Sequence, residues 1–238
     1  MTAHRSLHPS FGSGRPALRY EPLITLADGD VRAHEAIIGT GPRVGFGITQ
    51  GGAFEHALGK VAQQIRRWPA GTVVSFNVTL DQLLDEQLVG RVTGVAERAA
   101  IDPHSFLFEI DAALVETDPS GARRAIERLH EDAWSVTLDR IESAVSPLHL
   151  LAVVPVDLVK IDQAGLQEAS RDRLEVLTAV AATARRLGIG TVASGVATLP
   201  ELASAIAHGF DLAQGPLFGE QVSTAARRGE ATGPAVAQ

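Results

Sequence analysis

Short runs rich in β-branched and aromatic residues alternate along this chain with longer Ala/Leu/Arg stretches of helical spacing. Eight runs read as strands: PLITLA (22–27), VRAHEAII (31–38), TVVSFNV (72–78), SFLFEI (105–110), WSVTLD (134–139), VDLVKID (156–162), IGTVAS (189–194) and FDLAQG (210–215). Brief apolar runs of this kind, bounded by turn residues, suit strands buried on both faces. Helical spacing falls at 54–67, 80–99, 119–130, 168–187 and 199–208. The turn LADGD (26–30) makes the first two strands an antiparallel pair. Beyond it strand and helix alternate, which implies parallel strands joined by right-handed crossovers. Eight strands in about 200 residues fit an α/β closed barrel of TIM type, and no G-x-G-x-x-G follows any strand to favour an open dinucleotide fold. Residues 1–16, rich in Ser, Gly, Pro and His, are expected to form a flexible arm. Residues 17–221 form the barrel domain, and 222–238 a flexible tail.

Composition narrows the function. The net charge is −7, which opposes non-specific binding to DNA, RNA or an anionic membrane. No stretch approaches the roughly 18 apolar residues of a membrane span, and the N-terminus lacks the apolar core of a secretory signal, so a cytoplasmic protein is expected. The chain has no cysteine, which excludes disulfides, thiolate metal sites and a catalytic thiol.

The chemistry gathers at strand ends. Glu35, Asn77, Glu109, Asp139, Lys160, Ser194 and Gln214 each sit at or near the end of a different apolar run. In a barrel of this type that end carries the ligand site. Buried carboxylates are costly unless paired, hydrogen-bonded or bound to metal. Three of them with an amide call for a cation, and oxygen donors suit Mg²⁺, Mn²⁺ or Ca²⁺. The plainer alternative is that such residues face solvent and cap helices, as Thr79 would cap the helix after FNV. His34 should point to the opposite side of its strand from Glu35, and Trp134 reads as a packing residue.

These segments resemble an EAL domain, the bacterial family that hydrolyses cyclic di-GMP. RYEPLITLADGDVRAHEAI is similar to the family's opening strand pair, with Glu35-Ala36-Ile37 at the signature. SFNVTLDQLL, FLFEI, VPVDLVKIDQAGL and DLAQGPLFGE follow in the family's order and spacing. The resemblance implies a modified (β/α)8 barrel with one antiparallel strand and, in active members, two Mg²⁺ or Mn²⁺ ions that activate a water. It places Glu35, Asn77, Glu109 and Asp139 as ligands of the first ion. Lys160 falls where a lysine helps hold the water, and Gln214 is a further candidate for ligand contact.

The departures from the family pattern fall in the site. Arg140 stands where a second aspartate would bind the second metal. The following loop, IESAVSPL, lacks the family's glycines, and Ala112 replaces the glutamate that anchors it. Ser194 and Ala197 replace two glutamates, the first of them at the general-base position. Gly39 replaces an arginine that contacts phosphate. General-base catalysis is typically worth about 10²–10⁴-fold, so its loss with a metal leaves little hydrolysis to expect. The expectation is therefore an inactive regulatory module of cyclic di-GMP signalling, holding at most one Mg²⁺ or Mn²⁺. It would act through a protein partner of unknown identity or by residual sensing of cyclic di-GMP. The alternative is a weak metal-dependent phosphodiesterase giving pGpG. Two roles for Arg140 stay open: neutralising the carboxylates, or pairing loosely in solvent with Glu142 or Glu109. Whether the chain forms a homodimer also stays open.

Overall fold

The computed structural model describes residues 18–38, 53–162 and 171–219. The expected N-terminal arm and C-terminal tail lie outside these residues. Eight strands close into a barrel in sequence order: β1 (Leu18–Thr25), β2 (Val31–Ile38), β3 (Val73–Val78), β4 (Phe106–Asp111), β5 (Val136–Asp139), β6 (Leu158–Asp162), β7 (Gly190–Ser194) and β8 (Leu212–Gln214). β1 runs antiparallel to both its neighbours, β2 and β8, and every other pair is parallel. This is the expected α/β barrel with one antiparallel strand. The turn that reverses β1 into β2 is closed by Gly29 at φ 80 and by the Asp28 carboxylate accepting the Asp30 N–H.

The helices are α1 (Ala53–Ile65), α2 (Leu80–Leu84), α3 (Leu88–Ala99), α4 (Ala112–Val115), α5 (Pro119–Glu131), α6 (Pro147–Val153), α7 (Arg171–Arg186) and α8 (Leu199–Ala207). Local chemistry sets their ends. Thr79 and Thr198 begin α2 and α8 with capping boxes completed by Gln82 and Glu201. Asp118 caps α5 ahead of Pro119 at its first position. The single helix expected over 80–99 is instead two, because the Asp85 carboxylate takes the Gln87 N–H and turns the chain between them.

The outward faces of the strands pack under the helices. Val74, Phe76, Phe106, Phe108, Ile110, Val136, Leu138, Val159, Ile161 and Ala193 belong to one large buried cluster with the inner faces of the helices. The barrel interior holds a second, small apolar cluster: Leu23, Ala33 and Val192, with Val73 and Leu212 against them. Two residues further toward the carboxyl ends of the parallel strands the inward positions turn polar, and that change of character creates the site.

Candidate functional site

The strand period of two aligns the inward side chains in rows. Parallel register sets Glu35 beside Ser75, Asn77 beside Glu109, and Asp139 beside Asp111. The antiparallel pair sets Glu21 opposite Glu35. Lys160, buried on β6, is the hub: its Nζ donates at 2.7 Å to Glu35 Oε2 and at 2.7 Å to Glu109 Oε2. Glu35 also accepts from Asn77 Nδ2 at 3.0 Å and from Gln214 Nε2 at 2.7 Å. Gln214 reaches on to Glu21 at 3.0 Å, so one network ties β2, β3, β4, β6 and β8 to the opening strand β1. Gln214 is held in place by the residue after it. Gly215, at φ 149, passes so close to the chain after β7 that a Cβ would lie 2.4 Å from the Val196 backbone.

The electrostatics follow from this burial. Desolvation alone would raise the Glu35 carboxyl, but the Lys160 charge and the hydrogen bonds from Lys160, Gln214 and Asn77 outweigh it and hold it below the ordinary range. Glu109 goes the other way, pushed up to about 8 by burial and by the negative charge of Glu35, with Lys160 opposing. Burial raises Asp139 to about 6, opposed by Lys160 and reinforced by Glu35 and Glu142. Burial would lower Lys160, but Glu109, Glu35 and Asp139 together hold it well above its usual value. The hub is therefore an ammonium between Glu35, whose ionised form it favours, and Glu109, whose ionised form burial and Glu35 oppose.

The rim on the β5–β7 side is built differently. Asp139 ends β5, and Arg140 follows in the left-handed region at φ 52. The Arg140 guanidinium forms an ion pair with Asp111, with 56% of its side chain exposed. Arg140 thus pairs with Asp111, its charge also acts on Glu142, and it is Lys160 that meets Glu35 and Glu109. Ser194 ends β7 and lines a cavity of about 80 Å³ together with Glu35, Asn77, Asp139, Lys160 and Gln214. Ala197 lies outside that cavity on an exposed turn, where its N–H donates to Glu201. Ala112 opens α4 and is fully buried in the large apolar cluster. Gly39 falls outside the described residues.

Three further residues belong to the site and escaped sequence reading. Glu21 lines the cavity because β1 starts at Leu18, earlier than expected; Pro22 looks like a strand start, yet it lies inside β1 where only β2 pairs at its level. Asp162, last residue of β6, lines the cavity too. Asp111, the partner of Arg140, lies one residue beyond the FLFEI run and caps α4 through the Ala113 N–H. The outward expectations are met: His34 stacks on Trp68 with ring centroids 4.4 Å apart, and Trp134 packs on Phe108 at 5.2 Å.

The donor set can be weighed against a divalent ion. Among the described residues no three His, Asp or Glu side chains converge as a ready cation cage. The carboxylates of Glu35 and Glu109 close on Lys160 instead. Two oxygens of the network suit a cation: Glu109 Oε1 and Gln214 Oε1 are both buried without a hydrogen-bond partner. Glu35, Asn77, Glu109 and Asp139 carry hard oxygen donors of the kind that Mg²⁺ or Mn²⁺ prefers.

With this geometry in hand, comparison with known proteins is direct. The sequence model of the EAL domain matches residues 51–221. The chain belongs to the EAL domain family. The matched span begins after β2, so Glu35 is placed in the site by the barrel and not by that match. Cyclic di-GMP phosphodiesterase NbdA of Pseudomonas aeruginosa is 27% identical over 230 residues, covering 88% of this chain and 29% of NbdA. Cyclic di-GMP phosphodiesterase RocR of the same species is 26% identical over 173 residues, covering 72% of this chain and 42% of RocR. The chain thus spans less than half the length of these curated relatives. Among solved structures, the EAL domain of Mycobacterium smegmatis DcpA superposes with a TM-score of 0.72 at 27% identity, covering 90% of this chain and 94% of that one. Klebsiella pneumoniae BlrP1, solved with manganese and cyclic di-GMP, gives a TM-score of 0.75 at 21% identity, covering 90% of this chain and 57% of BlrP1, and shows the shared fold. BlrP1 has also been solved with calcium and cyclic di-GMP. Among the described residues no helix is long and apolar enough to cross a membrane.

Proposed function

We propose that this chain is an EAL module that does not hydrolyse cyclic di-GMP and acts as a regulatory element in that signalling chemistry, through contact with a protein partner or by holding the nucleotide without cleaving it. The observation that carries this reading is the asymmetry of the mouth. Its floor keeps a connected polar network around Lys160, while its β5–β7 rim offers a serine at position 194 and an arginine at 140 that is engaged with Asp111. A serine hydroxyl at position 194 cannot accept a proton at neutral pH, so that position offers no general base.

Glu35, Asn77, Glu109 and Asp139 would hold a single Mg²⁺ or Mn²⁺. When bound, that ion would supply electrophilic polarisation of a phosphate oxygen and an acidified water. The chain's own residues bind and orient: Asn77 and Gln214 fix the Glu35 carboxylate, and Lys160 supplies fixed positive charge beneath the mouth. The unpartnered Glu109 Oε1 favours a second reading, a slow one-ion phosphodiesterase releasing pGpG. Calorimetric titration of cyclic di-GMP into the protein, with and without Mn²⁺, separates the forms of the proposal. Saturation without product formation supports nucleotide holding, no heat supports protein contact alone, and linear product contradicts both.

A further inference from the structure

We infer that Glu116 is the anchor of the β5–α6 loop in this chain, a positioning residue. The loop leaves β5 at Arg140, makes one 3-10 turn over Ile141–Ser143 and reaches α6 at Ser146. Nothing in its own sequence fixes that last stretch. Ser146 occupies the N-cap position of α6 but makes no side-chain cap bond, and Pro147 follows without an N–H. The Glu116 carboxylate fills the gap from outside. Its two oxygens accept the consecutive amides at the helix entrance, Oε2 from Val145 N–H at 2.8 Å and Oε1 from Ser146 N–H at 2.7 Å. One carboxylate spanning two successive amides fixes both position and orientation of the peptide between them, and its charge sits where a helix start favours an anion.

The placement of Glu116 is itself set by α4. Asp111 caps that helix through Ala113 N–H at 2.8 Å, the fully buried Ala112 seats it in the core, and Glu116 follows its last residue with its backbone N–H bonded to Ala112. A glutamate at 112 would put a carboxylate into this apolar seat. One turn further on, the same group emerges at the surface within reach of the loop. The near end of the loop is held by the same helix, since Asp111 pairs with Arg140 and accepts the Ser143 hydroxyl at 3.4 Å. α4 therefore clamps both ends of the segment that carries Arg140 past the mouth of the barrel, and it does so whether or not the module cleaves nucleotide. Preorganisation of this kind lowers the ordering cost of whatever meets the loop.

Hydrogen–deuterium exchange resolved to single amides tests the assignment, using Glu116→Ala, Glu116→Gln and the control Glu131→Ala in the full chain, with urea midpoints measured in parallel. Glu116→Ala is expected to speed exchange at Val145 and Ser146 about ten-fold, equivalent to loss of roughly one net charge-assisted hydrogen bond, while amides of β5 and β6 keep wild-type rates. Glu116→Gln, which keeps one accepting oxygen, should fall between. Glu131→Ala should change neither amide. Unchanged exchange at Val145 and Ser146 in Glu116→Ala would overturn the inference. So would acceleration spread evenly over the barrel with a matching fall in the urea midpoint, because that is the mark of a residue serving stability alone.

Discussion

The floor and the rim of this site are made from the same barrel and obey different rules. On the floor, Glu35, Asn77, Glu109, Lys160 and Gln214 come from five strands, are largely or fully buried, and are joined through Glu35 and Lys160. On the rim, Asp139, Arg140 and Ser194 sit at strand exits, and the charged partner of Arg140 is the helix cap Asp111. Burial makes the floor a fold-determining network, in which an uncompensated charge is severe. On the rim, the exposed Arg140 can change identity cheaply. Under the proposed function, the barrel would keep the interior of an EAL site for reasons of folding, independently of cleavage.

Substitutions should reproduce this contrast. Lys160→Met leaves Glu35 and Glu109 buried without their cation and is expected to cost about 3–5 kcal/mol in urea denaturation. A cost no larger than that of a rim substitution would end the comparison. Glu35→Ala strips the acceptor from three donors, Asn77, Lys160 and Gln214, and should cost about 1–3 kcal/mol by the same measurement.

Glu109→Gln sharpens the picture because its sign depends on pH. The Glu109 carboxyl is raised from 4.5 to about 8 in the fold, so the native state binds its proton more tightly than the unfolded chain. Wild-type stability should then fall as pH rises from 4.5 through 8, and that loss is absent from the glutamine variant. In chelator-treated protein the two should be similar at the acid end of this window, with Glu109→Gln increasingly the more stable toward the alkaline end. Parallel pH profiles would show that Glu109 is not the strained group. Arg140→Ala removes a half-exposed ion pair and should change stability by only about 0–1 kcal/mol.

How much could be read beforehand divides along a similar line. All eight strands were legible because buried β-branched runs are unambiguous when turns bound them, and the floor residues were legible as polar ends of apolar runs. The break between α2 and α3 was not, since 80–99 keeps helical spacing across it and only the Asp85 side chain turns the chain. α4 and α6, at 4 and 7 residues, are too short to show a period. The partners of the rim were hidden for another reason. Asp111 meets Arg140, and Glu116 meets Val145, through the β4–β5 register and the position of α4, which no local pattern encodes. The role of Lys160 as the cation between two carboxylates likewise depends on strands far apart in sequence.

The central claim is that the floor has outlived the chemistry. Incubating the protein with cyclic di-GMP and excess Mn²⁺ and following the appearance of pGpG tests it most directly. The account predicts no linear product above a protein-free control, whereas turnover by the wild type that vanishes in Glu35→Ala would contradict it.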